Sequence, residues 1–238
     1  MKEKILVQKI VEYFEINIFN NHIEASLKRN SRLKSYNINP IVVKYLSRVL
    51  EGNYSPEGVA KALFYPRVLG TSINTSFGTR IQNMFVDLEI ASGSLIKGMD
   101  IEFIDQIDQR KKWCQLKSGP NTINSEDVKP LVQKFTKTIN LARTNNAFKG
   151  ISNSDFIVGV LYGEINELSM HYKAIDKTHP VIVGKEFWHR ITGYPDFYNS
   201  LVYELHKSIN NIDTKDLINK GCEILASEIN ASSLFDFS

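Results

Sequence analysis

The chain has 238 residues, 42% hydrophobic and 23% charged, an ordinary globular composition able to bury a sizeable core in one domain with an elaboration. No apolar run is long enough to span a bilayer, so no membrane partner is expected. Two cysteines, Cys114 and Cys222, are too few for a disulfide framework or a typical structural zinc site. The start, Met1-Lys2-Glu3-Lys4, leads into an amphipathic segment rather than a signal peptide, and a reducing cytoplasm is the expected compartment. The net charge of +3 hides an asymmetry. Residues 1–150 carry 22 Lys/Arg against 14 Asp/Glu, a balance of +8, and residues 151–238 carry 7 against 12, a balance of −5. A basic half suits a polyanionic partner, although uneven charge alone does not decide it.

Along the chain, residues 3–30 read as mostly helical, with Ile5, Ile10, Phe14, Ile18 and Ile23 near helical spacing. After Asn37-Ile38-Asn39, Pro40 opens a helix running to Leu50. Ser55 then caps another helix, with Pro56 in its first position. Residues 1–70 are expected to form an all-helical N-terminal region, and residues 71–238 a core domain. Residues 71–76 read as a polar loop, followed by a helix with Phe77, Ile81, Met84, Phe85 and Leu88 on its apolar face. Strands are expected at 98–104 and 112–117, joined by a turn at 105–110. A helix with Leu131, Phe135 and Ile139 should start near Asp127 and place Pro130 in its first turn. Residues 156–162 are continuously apolar, as in a strand covered on both faces. Residues 168–175 and 181–183 are further strand candidates, and two helices at 197–209 and 214–229 close the chain. Alternating helices and strands, without internal repeats, indicate an α/β core.

The chemistry concentrates in Gly98-Met99-Asp100-Ile101-Glu102-Phe103 and Trp113-Cys114-Gln115-Leu116-Lys117. Strand side chains alternate faces, so Asp100 and Glu102 share one face and Gln115 and Lys117 share one face. If the two strands form a hairpin, a carboxylate, an amide oxygen and an ammonium converge. Oxygen ligands for a hard metal ion beside a positive group are what phosphodiester hydrolysis requires. The bland reading of Asp100 is a solvated strand-edge carboxylate, and that of Lys117 a strand-end charge. Glu102 either holds a second metal ion or a water, or is a surface carboxylate. No phosphate-cradling glycine-rich loop is present, which argues against a nucleotide cofactor, and the histidines show no zinc-binding spacing.

These segments, with Lys117-Ser118-Gly119-Pro120-Asn121-Thr122-Ile123-Asn124 and the later Gly184-Lys185-Glu186-Phe187-Trp188, resemble the PD-(D/E)XK nuclease superfamily, and most of all its type II restriction endonucleases. The likeness covers 77–203 in order of elements. It departs from the family pattern at Gln115, where an Asp or Glu is usual. The resemblance implies a restriction-endonuclease-like α/β core, a mixed central β-sheet flanked by helices, with the helical N-terminal region added. It implies a Mg²⁺-dependent cut in double-stranded DNA at a short palindromic site, leaving 5′-phosphate and 3′-hydroxyl ends, made by a homodimer.

Under that resemblance Asp100, the Gln115 amide oxygen and the Leu116 carbonyl hold the metal. Lys117 assists the attacking water or stabilises the phosphate. Gln82 sits where the family often has an acidic residue near the metal, and Gly78, one turn earlier, would let another backbone approach; the plainer reading of both is as packing details. Candidate DNA contacts are Lys28, Arg29, Arg32 and Lys34 beside Tyr36, Ser72 and Asn74 in the polar loop as backbone N–H donors, Arg80, Ser118 and Asn121. A charge run of this kind is also, commonly, just a solvated face. Two rival readings remain: a repair or transposon-end nuclease of the same superfamily, and a nuclease-fold DNA-binding module whose site has decayed at Gln115.

Overall fold

The computed structural model describes residues 2–144, 150–210 and 213–237. Branched and aromatic residues build β2 (Ile101–Ile104), β3 (Lys111–Lys117), β4 (Phe156–Val160) and β5 (Val181–Val183), and the short β1 (Ser92–Gly93) adds an edge. They form one five-stranded sheet in the order β1-β2-β3-β4-β5. β1, β2 and β3 pair antiparallel, and β3, β4 and β5 pair parallel, so the sheet is mixed as expected. Each parallel join needs a crossover, supplied by α6 (Ser125–Thr144) and by α7 (Met170–Asp176).

The register sorts the two faces. Trp113 lies opposite Phe156, Gln115 opposite Val158, and Lys117 opposite Val160. On this face Trp113, Phe156, Val158, Val160, Val181 and Val183 pack with Leu131, Phe135 and Ile139 of α6 and with Tyr172 and Ile175 of α7. Trp113 and Phe156 stack at 5.1 Å. The other face meets α5 (Ile73–Asp87) and α8 (Gly184–Thr192), where Phe85, Phe103, Phe187 and Trp188 form an aromatic cluster. Gly159 makes room for it. A Cβ there would lie 2.3 Å from the Phe187 ring and 2.8 Å from the Cys114 sulfur. Cys114 is fully buried, a small hydrophobe as expected.

The chain divides into two compact units, one of Met1–Val11 and Gly78–His206 holding the sheet, the other of Glu12–Phe77 and Lys207–Ser238. The second is helical. α2 (Asn21–Asn30), α3 (Pro40–Glu51), α4 (Pro56–Pro66) and α10 (Lys215–Asn230) enclose Val43, Val59, Phe64, Val68, Leu225 and Ile229. Its helix starts follow the sequence. The Asn39 side chain accepts from the N–H groups of Ile41 and Val42, Ser55 accepts from Gly58, and Pro40 and Pro56 occupy first turns. α1 (Lys2–Tyr13) continues through a π-helical stretch, Phe14–Asn20, into α2, and α9 (Phe197–Ile209) stands where expected.

Three local expectations are corrected. Residues 71–76 are not a loop: a π-helical turn, Arg67–Ser72, runs into α5. Their hydroxyls fit a helix, since Thr75 Oγ1 donates to the Thr71 carbonyl one turn back and Ser72 pairs with Ser26. Residues 168–175 form no strand; Leu168, Tyr172 and Ile175 recur at helical spacing and bury one face of α7 and its lead-in. α6 begins at Ser125 because the Asn124 side chain accepts from Glu126 and Asp127, so exposed Pro130 falls in the second turn. Among the described residues, no helix is long and apolar enough to cross a membrane.

Candidate active site

Asp100 stands immediately before β2. Its N–H donates to the Cys114 carbonyl at 2.9 Å, which locks the hairpin register and sets Asp100 beside Gln115. Oδ2 of Asp100 accepts from Gln115 Nε2 at 2.5 Å and from the Leu116 N–H at 2.7 Å. Carbonyls alternate sides along a strand, so that of Leu116 points to the same side of β3 as that of Cys114, toward Asp100. Gln82, on α5, donates to the Asp100 carbonyl at 3.3 Å. Lys117 ends β3 half-buried, and its carbonyl accepts from Leu161. The hairpin therefore gathers Asp100, Gln115, Leu116, Lys117 and Gln82.

Burial pushes the Asp100 carboxyl above the ordinary carboxylate range, against the opposing pull of the Leu116 N–H and of the Lys117 and Lys134 charges. Lys134 is a member of this cluster that the motif does not include. It projects from α6 over Gly98, whose φ of +85° suits glycine; a Cβ there would lie 1.6 Å from Lys134 Nζ. The signal in the sequence is slight: a glycine two residues ahead of Asp100, and a lysine beside the Leu131–Phe135 stripe.

Glu102 shares the Asp100 face but is spent elsewhere. Its carboxylate accepts from Ser94 Oγ at 2.7 Å and the Leu95 N–H at 3.2 Å, and pairs with Lys111 at 2.6 Å. Burial alone would raise its carboxyl, yet Lys111 and Ser94 hold it below the usual value. Glu102 thus ties down the turn at 94–98, which leads into Asp100.

Ser118 is half-buried beyond Lys117 and Asn121 is exposed, on a segment pinned by Tyr172, which donates to the Gly119 carbonyl at 3.1 Å. Arg80 is half-buried on α5. Gly78 is exposed with nothing within 4 Å of an added Cβ, so no backbone approaches it. In the helical unit Lys28, Arg29 and Lys34 are exposed, while Arg32 pairs with Glu228 at 2.9 Å and Tyr36 donates to the Asn30 carbonyl. Ser72 and Asn74 lie within helical structure. The polar loop expected to present their N–H groups at a helix N-terminus is therefore not what the structure places there.

The opposite end of β3 carries a second polar cluster. Asp155 accepts from Arg110 Nε at 2.7 Å and from Ser152, and Lys112 lies 2.6 Å from Asp108 and 3.6 Å from Asp155. Arg190 joins Asp105 at 2.8 Å and Glu186 at 2.6 Å.

Among the described residues, no group of three or more His, Cys, Asp or Glu is arranged to hold a metal ion. The Asp100 donor set is nonetheless of the right chemistry for Mg²⁺, which binds through one or two carboxylates and keeps waters and substrate phosphate as its remaining oxygen ligands. The half-buried carboxylate with the Leu116 carbonyl beside it fits that pattern, whereas Gln115 faces Asp100 through Nε2 and would have to turn its amide to offer the expected oxygen.

No curated protein matches the chain. Residues 8–213 match the family model for type II restriction endonuclease EcoO109I, a span that contains all five strands and every side chain gathered around Asp100. The chain belongs to the EcoO109I family of type II restriction endonucleases, which makes it a site-specific nuclease of double-stranded DNA.

Proposed function

We propose that the protein is a Mg²⁺-dependent endonuclease of the PD-(D/E)XK superfamily, with the variant motif Asp100…Gln115-x-Lys117. It cuts duplex DNA at a short palindromic site and leaves 5′-phosphate and 3′-hydroxyl ends. The observation that carries this reading is the desolvated Asp100 carboxylate, set by the hairpin register beside Gln115 and Lys117.

Asp100, the Leu116 carbonyl and, with its amide turned to present oxygen, Gln115 would hold the ion. Bound there, Mg²⁺ supplies Lewis-acid polarisation of the phosphate and a more acidic water. Lys117 orients that water or offsets the charge on the phosphate oxygens. Water oxygen attacks phosphorus, the P–O3′ bond breaks, and the 3′ oxygen leaves with a proton. Gln82 steadies the Asp100 backbone, and Glu102 steadies the turn before it.

One chain carries one such centre, so cutting both strands of a palindrome calls for two copies about a two-fold axis. The helical region of residues 1–70 is the proposed source of dimer or DNA contacts, with Lys28, Arg29 and Lys34 toward phosphate, and the nuclease core of residues 71–238 adds Arg80, Ser118 and Asn121. The decisive test is digestion of a sequenced plasmid with Mg²⁺ and mapping of the ends. Discrete double-strand breaks with 5′-phosphates support the reading. Specific binding without cutting, in Mg²⁺ and in Mn²⁺, would favour a decayed binding module. Light scattering with and without cognate DNA reports the dimer, and a monomer that nicks each strand in separate encounters would overturn that part.

A further inference from the structure

Lys134 reaches the Asp100 cluster from α6, through a gap that Gly98 leaves open. Its base is fixed: Leu131, Phe135 and Ile139 are buried on the same helix, and the Lys134 carbonyl accepts from Thr138. Among the described residues neither Lys134 nor Lys117 enters an ion pair. The nearby Glu102 is already committed to Lys111. Among the described residues the centre therefore holds one carboxylate outside any ion pair, Asp100, hydrogen-bonded by Gln115 and the Leu116 N–H, and two ammonium groups likewise outside any ion pair. The Lys134 ammonium rests against Gly98, two residues before Asp100 and outside ion-pair distance of that carboxylate, which leaves it available to an anion that is not part of the chain.

We infer that Lys134 is a catalytic residue that contacts the non-bridging oxygens of the scissile phosphate. The inference rests on the nuclease reading above. A phosphodiester gains negative charge as water adds, and enzymes answer that charge with fixed cations or with a second metal ion. Here Gln115 is neutral, and one carboxylate suits one divalent ion. Lys134 supplies the second positive charge that a fuller carboxylate set would recruit as metal. It exchanges no proton with the reacting groups, and the proton balance of hydrolysis is unchanged.

The test compares the wild type with Lys134→Met, which keeps the apolar stem, and Lys134→Arg, which keeps the charge. Two readouts are needed: single-turnover cleavage in Mg²⁺, and calorimetric Ca²⁺ binding to the DNA-free protein. Lys134→Met should slow cleavage ~100-fold, with DNA affinity little changed, while Lys134→Arg stays much nearer the wild type. Lys134→Met should also bind Ca²⁺ about threefold more tightly, because a repelling charge has gone. A residue that merely props Gly98 would not tighten metal binding as it slows cutting. Wild-type cleavage by Lys134→Met, or slowed cleavage with unchanged or weakened Ca²⁺ binding, overturns the inference. If thermal melts show Lys134→Met to be unfolded, Lys134→Gln takes its place under the same criteria. A wild type that cuts no DNA condemns the nuclease reading instead, and is distinguished by being seen before any variant is compared.

Discussion

The two ends of β3 both carry lysine and both lie beside aspartate, yet they differ in how completely charge is matched. At the Lys112 end every charge has an answer. Asp155, 3% exposed, takes Arg110 and the Ser152 N–H, and Lys112, 2% exposed, takes Asp108 and the Ser154 carbonyl. Opposing burial, Lys112 holds the Asp108 carboxyl and Arg110 the Asp155 carboxyl below their usual range. At the Lys117 end burial wins, the Asp100 carboxyl is pushed up, and two ammonium groups stand unpaired by carboxylate among the described residues. By exposure the closed end holds the deeper pair, Lys112 and Asp155. Incomplete matching is what directs the proposed site to the other end.

That contrast can be broken by substitution at either end. Lys117→Ala should have the largest effect, a loss of cleavage of about a thousandfold or more, with specific DNA affinity kept within about tenfold, or about 1.4 kcal/mol. Single-turnover rates set against gel-shift affinities decide it, and wild-type cutting would remove Lys117 from the centre. Asp155→Asn acts at the closed end and should cost about 3 kcal/mol of stability, since it neutralises the buried carboxylate that pairs with Arg110 and lies 3.6 Å from the buried Lys112, while the folded fraction still cuts.

The sign of its pH dependence follows from the depressed carboxyl. Asp155 contributes its stability in full above the unfolded carboxylate pKa and loses it as pH falls through the lower folded value. Wild-type melting temperature should therefore drop more steeply than that of Asp155→Asn below about pH 4. Equal slopes would show that Asp155 is not a linked group.

Glu102→Gln lies between the two classes. Loosening the Ser94, Leu95 and Lys111 contacts should cost about 1 kcal/mol in chemical denaturation and slow cutting only a few-fold by ~1 kcal/mol. A loss as deep as that of Lys117→Ala would return Glu102 to the reaction centre. The smallest change is expected of Gln115→Glu, which should keep activity and lower the Mg²⁺ concentration needed for half-maximal cleavage. A folded but inactive protein would mean that Gln115 does something other than hold the ion.

Where side-chain alternation and burial agree, the chain could be read directly. Of the continuously apolar 156–162, residues 156–160 became β4, and the two-residue period of Gln115 and Lys117 placed both on the Asp100 face. Pro40 and Ser55 announced their helices because a helix start is a local event. Residues 168–175 misled because a short apolar stretch carries both periods weakly, and only packing against α6 selects the helix. Residues 71–76 misled because polar side chains are neutral between a loop and an exposed helix surface. Glu102 sat on the face expected of it, but its pairing with Lys111 depends on the hairpin register. Lys134 was illegible for another reason: it meets Asp100 only after the α6 crossover has formed, and nothing in its own neighbourhood distinguishes it from a surface lysine.

The two cysteines fall one to each unit, Cys114 in the sheet and Cys222 between the helices, both free and both buried. Burial pushes the Cys222 thiol up to about 11 and that of Cys114 further still, so neither offers much thiolate to a reagent while its surroundings are intact. The native protein carries, in effect, a pair of internal clocks. Pulsed alkylation followed by peptide mass spectrometry would time the opening of each unit separately, without a label or a substitution, and would tell whether the nuclease sheet and the helical unit come apart together or in turn.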